Sequence, residues 1–179
     1  MKPGGTVTDS RKLYLIRHAK SSWADPSLDD FDRPLNKRGK ANGPVMAERL
    51  AAKNIHPDCI VSSPARRARK TALYMARGTG FRKQDICYDE KLYLGSLSYH
   101  LTLLEELFEK ASVLFLVGHH HTITELAEYL TGEHLGNVPT CGVVGIEYPL
   151  KDGFTPEPGR GRLLFFDFPK NIGEGPASR

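Results

Sequence analysis

Two stretches of this chain, Lys12 to Ile16 and Ser112 to Val117, are apolar at every position after their first residue. A strand with one face in water alternates polar and apolar side chains. A strand without alternation has to be covered on both faces, the pattern of a parallel or mostly parallel sheet lying between helices. Cys59 to Val61 is a shorter run of the same kind. Helical stretches lie between and after these runs, at Lys37 to Lys53, Pro64 to Arg77, Ser98 to Lys110 and Thr122 to Thr131. Ser63-Pro64 reads as a helix start, because Ser caps free amides and Pro is pre-set for the first helical position. Gly132 reads as a stop. Gly43-Pro44 is expected to kink or shorten the first helix. Val143 to Tyr148 and Arg162 to Phe168 read as two late strands. Strands alternating with helices define an α/β fold, expected here as a three-layer sandwich with a mostly parallel central sheet flanked by helices.

A chain of 179 residues, 40% of them hydrophobic, fills one core well and is short for two. The expectation is a single domain over residues 1–179, with its core at about 11–169 and frayed ends at Met1 to Ser10 and Lys170 to Arg179. Lys+Arg 25 against Asp+Glu 21 gives a net charge of +4, far below the excess of a dedicated nucleic-acid binder. No apolar segment approaches the ~20 residues that cross a bilayer, and Met1 to Lys12 lacks the apolar stretch of a secretion signal. Neither a nucleic-acid nor a membrane partner is expected. Cys59, Cys87 and Cys141 include no CxxC pair, which excludes a disulfide framework and a zinc ribbon and suits reduced thiols in a cytoplasmic protein.

Ligands of open α/β sheets sit beyond the carboxyl ends of the strands. Three segments meet that condition here: Arg17-His18, Ser62-Ser63 and Gly118-His119. If their strands are neighbours, one pocket collects His18, His119, Arg17 and the Arg66/Arg67 turn. An imidazole can attack phosphorus, and a guanidinium holds two phosphate oxygens in a planar fork that lysine cannot reproduce. Phosphoryl transfer asks chiefly for positive charge and donors around the equatorial oxygens, which two arginines and a second histidine supply without a metal. No cofactor is expected. A nucleophilic His18 has to be neutral, and nearby guanidiniums favour that form.

Other features have plainer readings. Consecutive residues His119, His120 and His121 point in different directions and cannot converge on one ion, so His120 and His121 are expected at the pocket rim or in solvent. His56, His100 and His134 read as structural or surface residues. In Arg66-Arg67-Ala68-Arg69-Lys70 the charges spread around a helix, with one arginine facing the pocket and the rest solvated. Asp25, Asp29, Asp30 and Asp32 form an acidic loop, in which Asp32 is the expected acid or partner of Arg33. Trp23 fits a pocket wall or the core equally.

Leu15-Ile16-Arg17-His18-Ala19, Ser63-Pro64 with Arg67-Ala68-x-x-Thr71-Ala72, and Val117-Gly118-His119 resemble, in order and spacing, the histidine phosphatase superfamily, also called phosphoglycerate mutase-like. More narrowly, Arg17-His18-Ala19-Lys20-Ser21-Ser22-Trp23 with Asp32-Arg33-Pro34-Leu35-Asn36-Lys37-Arg38-Gly39 is similar to the SixA-like phosphohistidine phosphatases. The resemblance runs from about residue 12 to 132. It implies that His18 accepts the phosphoryl group, that Arg17 and Arg67 bind phosphate, that His119 is the second pocket histidine, and that catalysis is metal-independent. The sequence departs from the family at Ala19, where many members have Gly, and at His120-His121, where Asn-Pro is frequent. The proton donor of mutase-type relatives is a Glu ahead of an aromatic and Gly; Glu90-x-x-Tyr93-x-Gly95 is similar but not the same, which makes Glu90 the candidate acid. The implied activity is hydrolysis of phosphohistidine on a signalling or phosphotransfer protein. Alternatives are a phosphomonoesterase for a small metabolite or nucleotide and a phosphate-binding module without turnover.

Overall fold

A computed structural model describes residues 10–149 and 154–172. Six strands and four α-helices follow in the order β1 (Ser10–Arg17), α1 (Lys37–Ala52), β2 (Cys59–Ser62), α2 (Arg66–Thr79), β3 (Cys87–Tyr88), α3 (Leu97–Phe108), β4 (Val113–Gly118), α4 (Thr122–Thr131), β5 (Val143–Pro149) and β6 (Arg162–Asp167). They build one sheet in the order β3-β2-β4-β1-β5-β6, parallel from β3 to β1 and antiparallel at β5 and β6. Of the ends expected to fray, all but Ser10 and 170–172 lie outside the described residues.

The absence of alternation in β1 has the expected cause. Tyr14 and Ile16 enter a core shared with Met46 and Leu50 of α1 and Met75 of α2. Leu13 and Leu15 enter a second core on the opposite face, with Leu104 and Phe108 of α3 and Leu126 and Leu130 of α4. Each such side chain, withdrawn fully from water, contributes about 1.5–3 kcal/mol. The result is the three-layer sandwich, with α1 and α2 on one face and α3 and α4 on the other.

Two local expectations are corrected, and one element was missed. The helix α1 runs through Gly43-Pro44 without a break. Pro44 forfeits one amide bond, but a Cβ on Gly43 would lie 2.2 Å from Tyr74 Cδ2, so the missing side chain is what lets α2 pack closely there. Helix α2 begins at Arg66, after Ala65 and not at Pro64, and has no side-chain cap. Ser63 Oγ does accept from the Ala65 amide at 3.3 Å, yet it also serves a neighbouring histidine described below. Strand β3 was not anticipated, since two residues carry no periodicity. By contrast, Asn36 caps α1 through the Gly39 amide at 2.8 Å, and α4 ends at Gly132 in the left-handed region (φ 72).

Candidate active site

Register brings the site together. In the parallel pairs around β4, Arg17 lies opposite Gly118 and Ser62 opposite Val117, so β1, β2 and β4 end at one level. The ladder continues one residue further, with His18 N donating to Gly118 O at 3.0 Å and Ser63 N to Val117 O at 3.0 Å. His18, Ser63 and His119 therefore leave the sheet side by side. Helix α2 adds Arg67 from its buried face, and Thr71 one turn on fastens the arrangement. Its Oγ1 donates to Arg67 O at 2.7 Å and accepts from Ala19 N at 2.9 Å, tying the helix to the chain that follows His18.

The side chains form a continuous hydrogen-bonded line. His18 Nδ1 lies 2.7 Å from Ala19 O, and because a carbonyl only accepts, Nδ1 carries the hydrogen. The lone pair is left on Nε2, which receives Arg67 Nε at 3.3 Å. Arg67 Nη2 approaches His119 Nδ1 at 3.4 Å; a guanidinium only donates, so the hydrogen of His119 sits on Nε2 and points to Ser63 Oγ at 2.8 Å. The two imidazole centroids are 5.1 Å apart. Burial, followed by the charges of Arg67, Arg17 and Arg33, pushes His18 down to about 4 despite its bond to Ala19. Burial, then His18, Arg67 and Arg17, pushes His119 to about 3 against the opposing charge of Asp30. Both rings are neutral at pH 7.

A carboxylate closes the open side. Asp30 Oδ2 pairs with Arg67 Nη2 at 2.8 Å and accepts from Tyr93 Oη at 2.7 Å, while Oδ1 pairs with Arg33 Nη2 at 2.9 Å. Its main-chain carbonyl also accepts from Arg67 Nη1. Partial burial would raise the Asp30 carboxyl, but the bonds from Tyr93 and Arg67 and the charges of Arg67 and Arg33 outweigh it and bring it to about 2. The Tyr93 ring stands edge-on to His119 at 5.4 Å. Arg33 is buried beneath the Trp23 ring, its Cζ 3.4 Å from the centroid.

His18, Arg67 and His119 are thus joined directly. Arg17 stands beside them, its Nη1 donating to Val138 O at 2.8 Å and to Asn137 Oδ1 at 3.2 Å. Its buried Nε has no partner among the described residues, and its charge depresses both histidines. Glu90 is exposed at the start of the 3-10 turn Glu90–Leu92 and bonds to none of these groups; the neighbouring residue that touches His119 is Tyr93. Asp30, not Asp32, is the partner of Arg33. Trp23 is 77% exposed, which removes the core reading. His120 is partly exposed and His121 exposed, their ring centroids 3.9 Å apart and the planes tilted by 37°. His56 and His100 bond through Nδ1 to main-chain carbonyls, and exposed His134 pairs with Glu128. No group of three His, Cys, Asp or Glu is placed to hold a metal ion among the described residues.

Sequence reasoning missed Ser63 as a histidine partner, Asp30 and Tyr93. The Asp30–Arg33 spacing of three was the available signal, since one turn of helix brings such a pair together.

Two imidazoles bridged by a guanidinium thus lie at the carboxyl ends of parallel strands, where ligands of open α/β sheets sit. Residues 13–93 match the model of the histidine phosphatase superfamily, branch 1. The SixA protein from Agrobacterium tumefaciens superposes with a TM-score of 0.76 at 32% identity, over 89% of this chain and 98% of that one. The protein histidine phosphatase SixA complexed with tungstate shares the fold at a TM-score of 0.76 and 18% identity, over 88% of this chain and 97% of that one. A chloroplast protein of Arabidopsis thaliana is 34% identical over 140 residues, 74% of this chain and 64% of that protein's length. The chain belongs to the histidine phosphatase superfamily.

Proposed function

We propose that this protein is a metal-independent phosphatase that takes a phosphoryl group onto His18 and passes it to water, acting in the cytoplasm on phosphohistidine of a signalling or phosphotransfer protein. The observation that carries the reading is the tautomer of His18. With Nδ1–H committed to Ala19 O, the lone pair of Nε2 faces the Arg67 guanidinium and is unprotonated at pH 7. Arg17, through its unpartnered Nε, and Arg67 hold the phosphoryl oxygens, joined by His119 once the phosphoryl charge has drawn a proton onto its Nδ1. Nε2 attacks phosphorus and the P–N bond of the substrate breaks, its electron pair passing to the leaving imidazole, which takes up a proton. Water then attacks the phosphorus on His18, releasing inorganic phosphate and restoring the neutral ring.

Phosphohistidine is favoured over a phosphate ester because a protonated imidazole leaves easily and an alkoxide does not. Glu90, the candidate acid, is exposed and its side chain makes no hydrogen bond among the described residues, an arrangement that suits an undemanding leaving group. The SixA name of the 32%-identical neighbour supports the same substrate class.

The test compares wild type with His18→Ala on a phosphohistidine protein, a phosphoserine peptide and a panel of phosphorylated metabolites, with chelator present. Wild type is expected to turn over phosphohistidine well and alkyl phosphates poorly, and to yield an acid-labile phosphoenzyme on quenching. His18→Ala yields neither. Comparable rates on a sugar phosphate would overturn the substrate preference, chelator sensitivity the metal-free chemistry, and an untrappable intermediate the covalent route.

A further inference from the structure

Beside the phosphate pocket runs a groove of about 490 Å³ whose charge the site does not use. One wall is the outer face of α2, where Arg66, Arg69, Lys70 and Leu73 fall at i, i+3, i+4 and i+7 and so form one stripe. As the sequence suggested, Arg67 alone turns inward while Arg66, Arg69 and Lys70 are exposed; the structure adds that these three share one wall. Lys40 of α1 adds a fourth cation, with Asp32 the sole acidic side chain in the lining. None of Lys40, Arg66, Arg69 and Lys70 is paired with a carboxylate among the described residues. Arg66 reaches only the Asp32 carbonyl, at 3.5 Å, while Arg69 and Lys70 lie over Tyr88 and Tyr74. The floor is apolar, formed by Phe31, Pro34, Leu35 and Pro64.

The groove and the pocket are neighbours through two lining residues. Pro64 follows the Ser63 that bonds His119, and the Phe31 ring packs edge-on to Tyr93 at 5.0 Å. Four unneutralised cations above an apolar floor complement a chain segment that mixes carboxylates with apolar side chains. We propose that this groove docks an acidic, apolar segment of the partner protein whose phosphorylated side chain enters the pocket. The inference rests on the reading above that the phosphate is presented by a protein. A nucleic acid fits less well, since single strands are held by stacking on exposed aromatic faces and this floor offers prolines, a leucine and one half-buried phenylalanine.

The variant is Arg69→Glu/Lys70→Glu, both exposed and outside the reacting groups. Two peptides are compared: a fluorescein-labelled one combining Asp, Glu and Leu, and its twin with Asn and Gln for the acids. At moderate salt, fluorescence anisotropy should show wild type binding the acidic peptide roughly tenfold tighter than the twin, and the variant losing that preference. With a phosphohistidine placed in each peptide, the preference should reappear in KM, while turnover of free phosphoramidate by the variant is unchanged. Equal binding of the twins by wild type, or a preference retained by the variant, overturns the proposal. So does tighter binding of a single-stranded oligonucleotide that the variant abolishes. Should the acidic peptide bind as described while no phosphohistidine substrate is turned over, the docking groove stands and the phosphohistidine reading falls.

Discussion

At the scale of single residues, Arg67 does what no other side chain here can. It is 5% exposed and touches His18, His119 and Asp30 at once, through three different nitrogens of one rigid plane. A lysine offers a single point charge on a flexible stem and meets one of these partners at a time. Arg67→Lys should therefore lower kcat/KM on phosphoramidate almost as much as Arg67→Ala, each by about 10² to 10³. Steady-state kinetics alongside a urea midpoint separates this from unfolding; a lysine variant near wild-type activity would show that charge alone suffices. Arg67 itself was legible, because the residues flanking it match a family motif and lie just after a buried strand. Asp30 was not. Four aspartates crowd the loop at 25–32; the spacing of three hints at the Asp30–Arg33 pair, but nothing tells which carboxylate also folds back onto a guanidinium 37 residues later.

At the scale of elements, the first turn of α1 is pressed against the chain that leaves β1. A Cβ on Gly39 would lie 2.2 Å from the Lys20 carbonyl oxygen, which already accepts from Asn36 N at 2.9 Å. Backbone cannot swing aside as a side-chain tip does. Gly39→Ala should cost about 1–3 kcal/mol, read from urea unfolding. It should also lower kcat, because the displaced segment includes the Ala19 carbonyl that sets the His18 tautomer. Unchanged activity would uncouple the helix from the ring. The elements most readable from sequence were those doubly buried or sharply punctuated: β1 and β4 by their unbroken apolar runs, and α4, whose observed bounds are those expected. The start of α2 was misplaced because Ser63 carries a capping signal while its hydroxyl also serves His119. Strand β3 is legible only from its partner, through the register of Val61 with Cys87.

At the scale of the molecule, the site makes stability depend on acidity. Unfolded, His18 and His119 take up protons near pH 6.5; folded, they do so only near 4 and 3. Above 6.5 the rings are neutral in both states and add no pH dependence. As pH falls below that value the unfolded chain gains protons the folded one refuses, so stability drops until the folded values are passed. Asp30 extends the loss from its unfolded range near 3.8 down to about 2. Urea midpoints should therefore fall steadily between pH 6.5 and 4, and His119→Asn should reduce that slope by about half, since each group contributes at most ~1.4 kcal/mol per pH unit. A flat profile would contradict the burial of the two rings. The same assembly also carries an optical reporter. Trp23, the only tryptophan, lies against Arg33, which holds Asp30, which holds Arg67. An oxyanion that takes Arg67 from Asp30 shifts that relay at the indole. Vanadate titration should consequently change the emission of the unlabelled protein, a signal that Trp23→Phe silences, so that occupancy can be followed in real time without a dye.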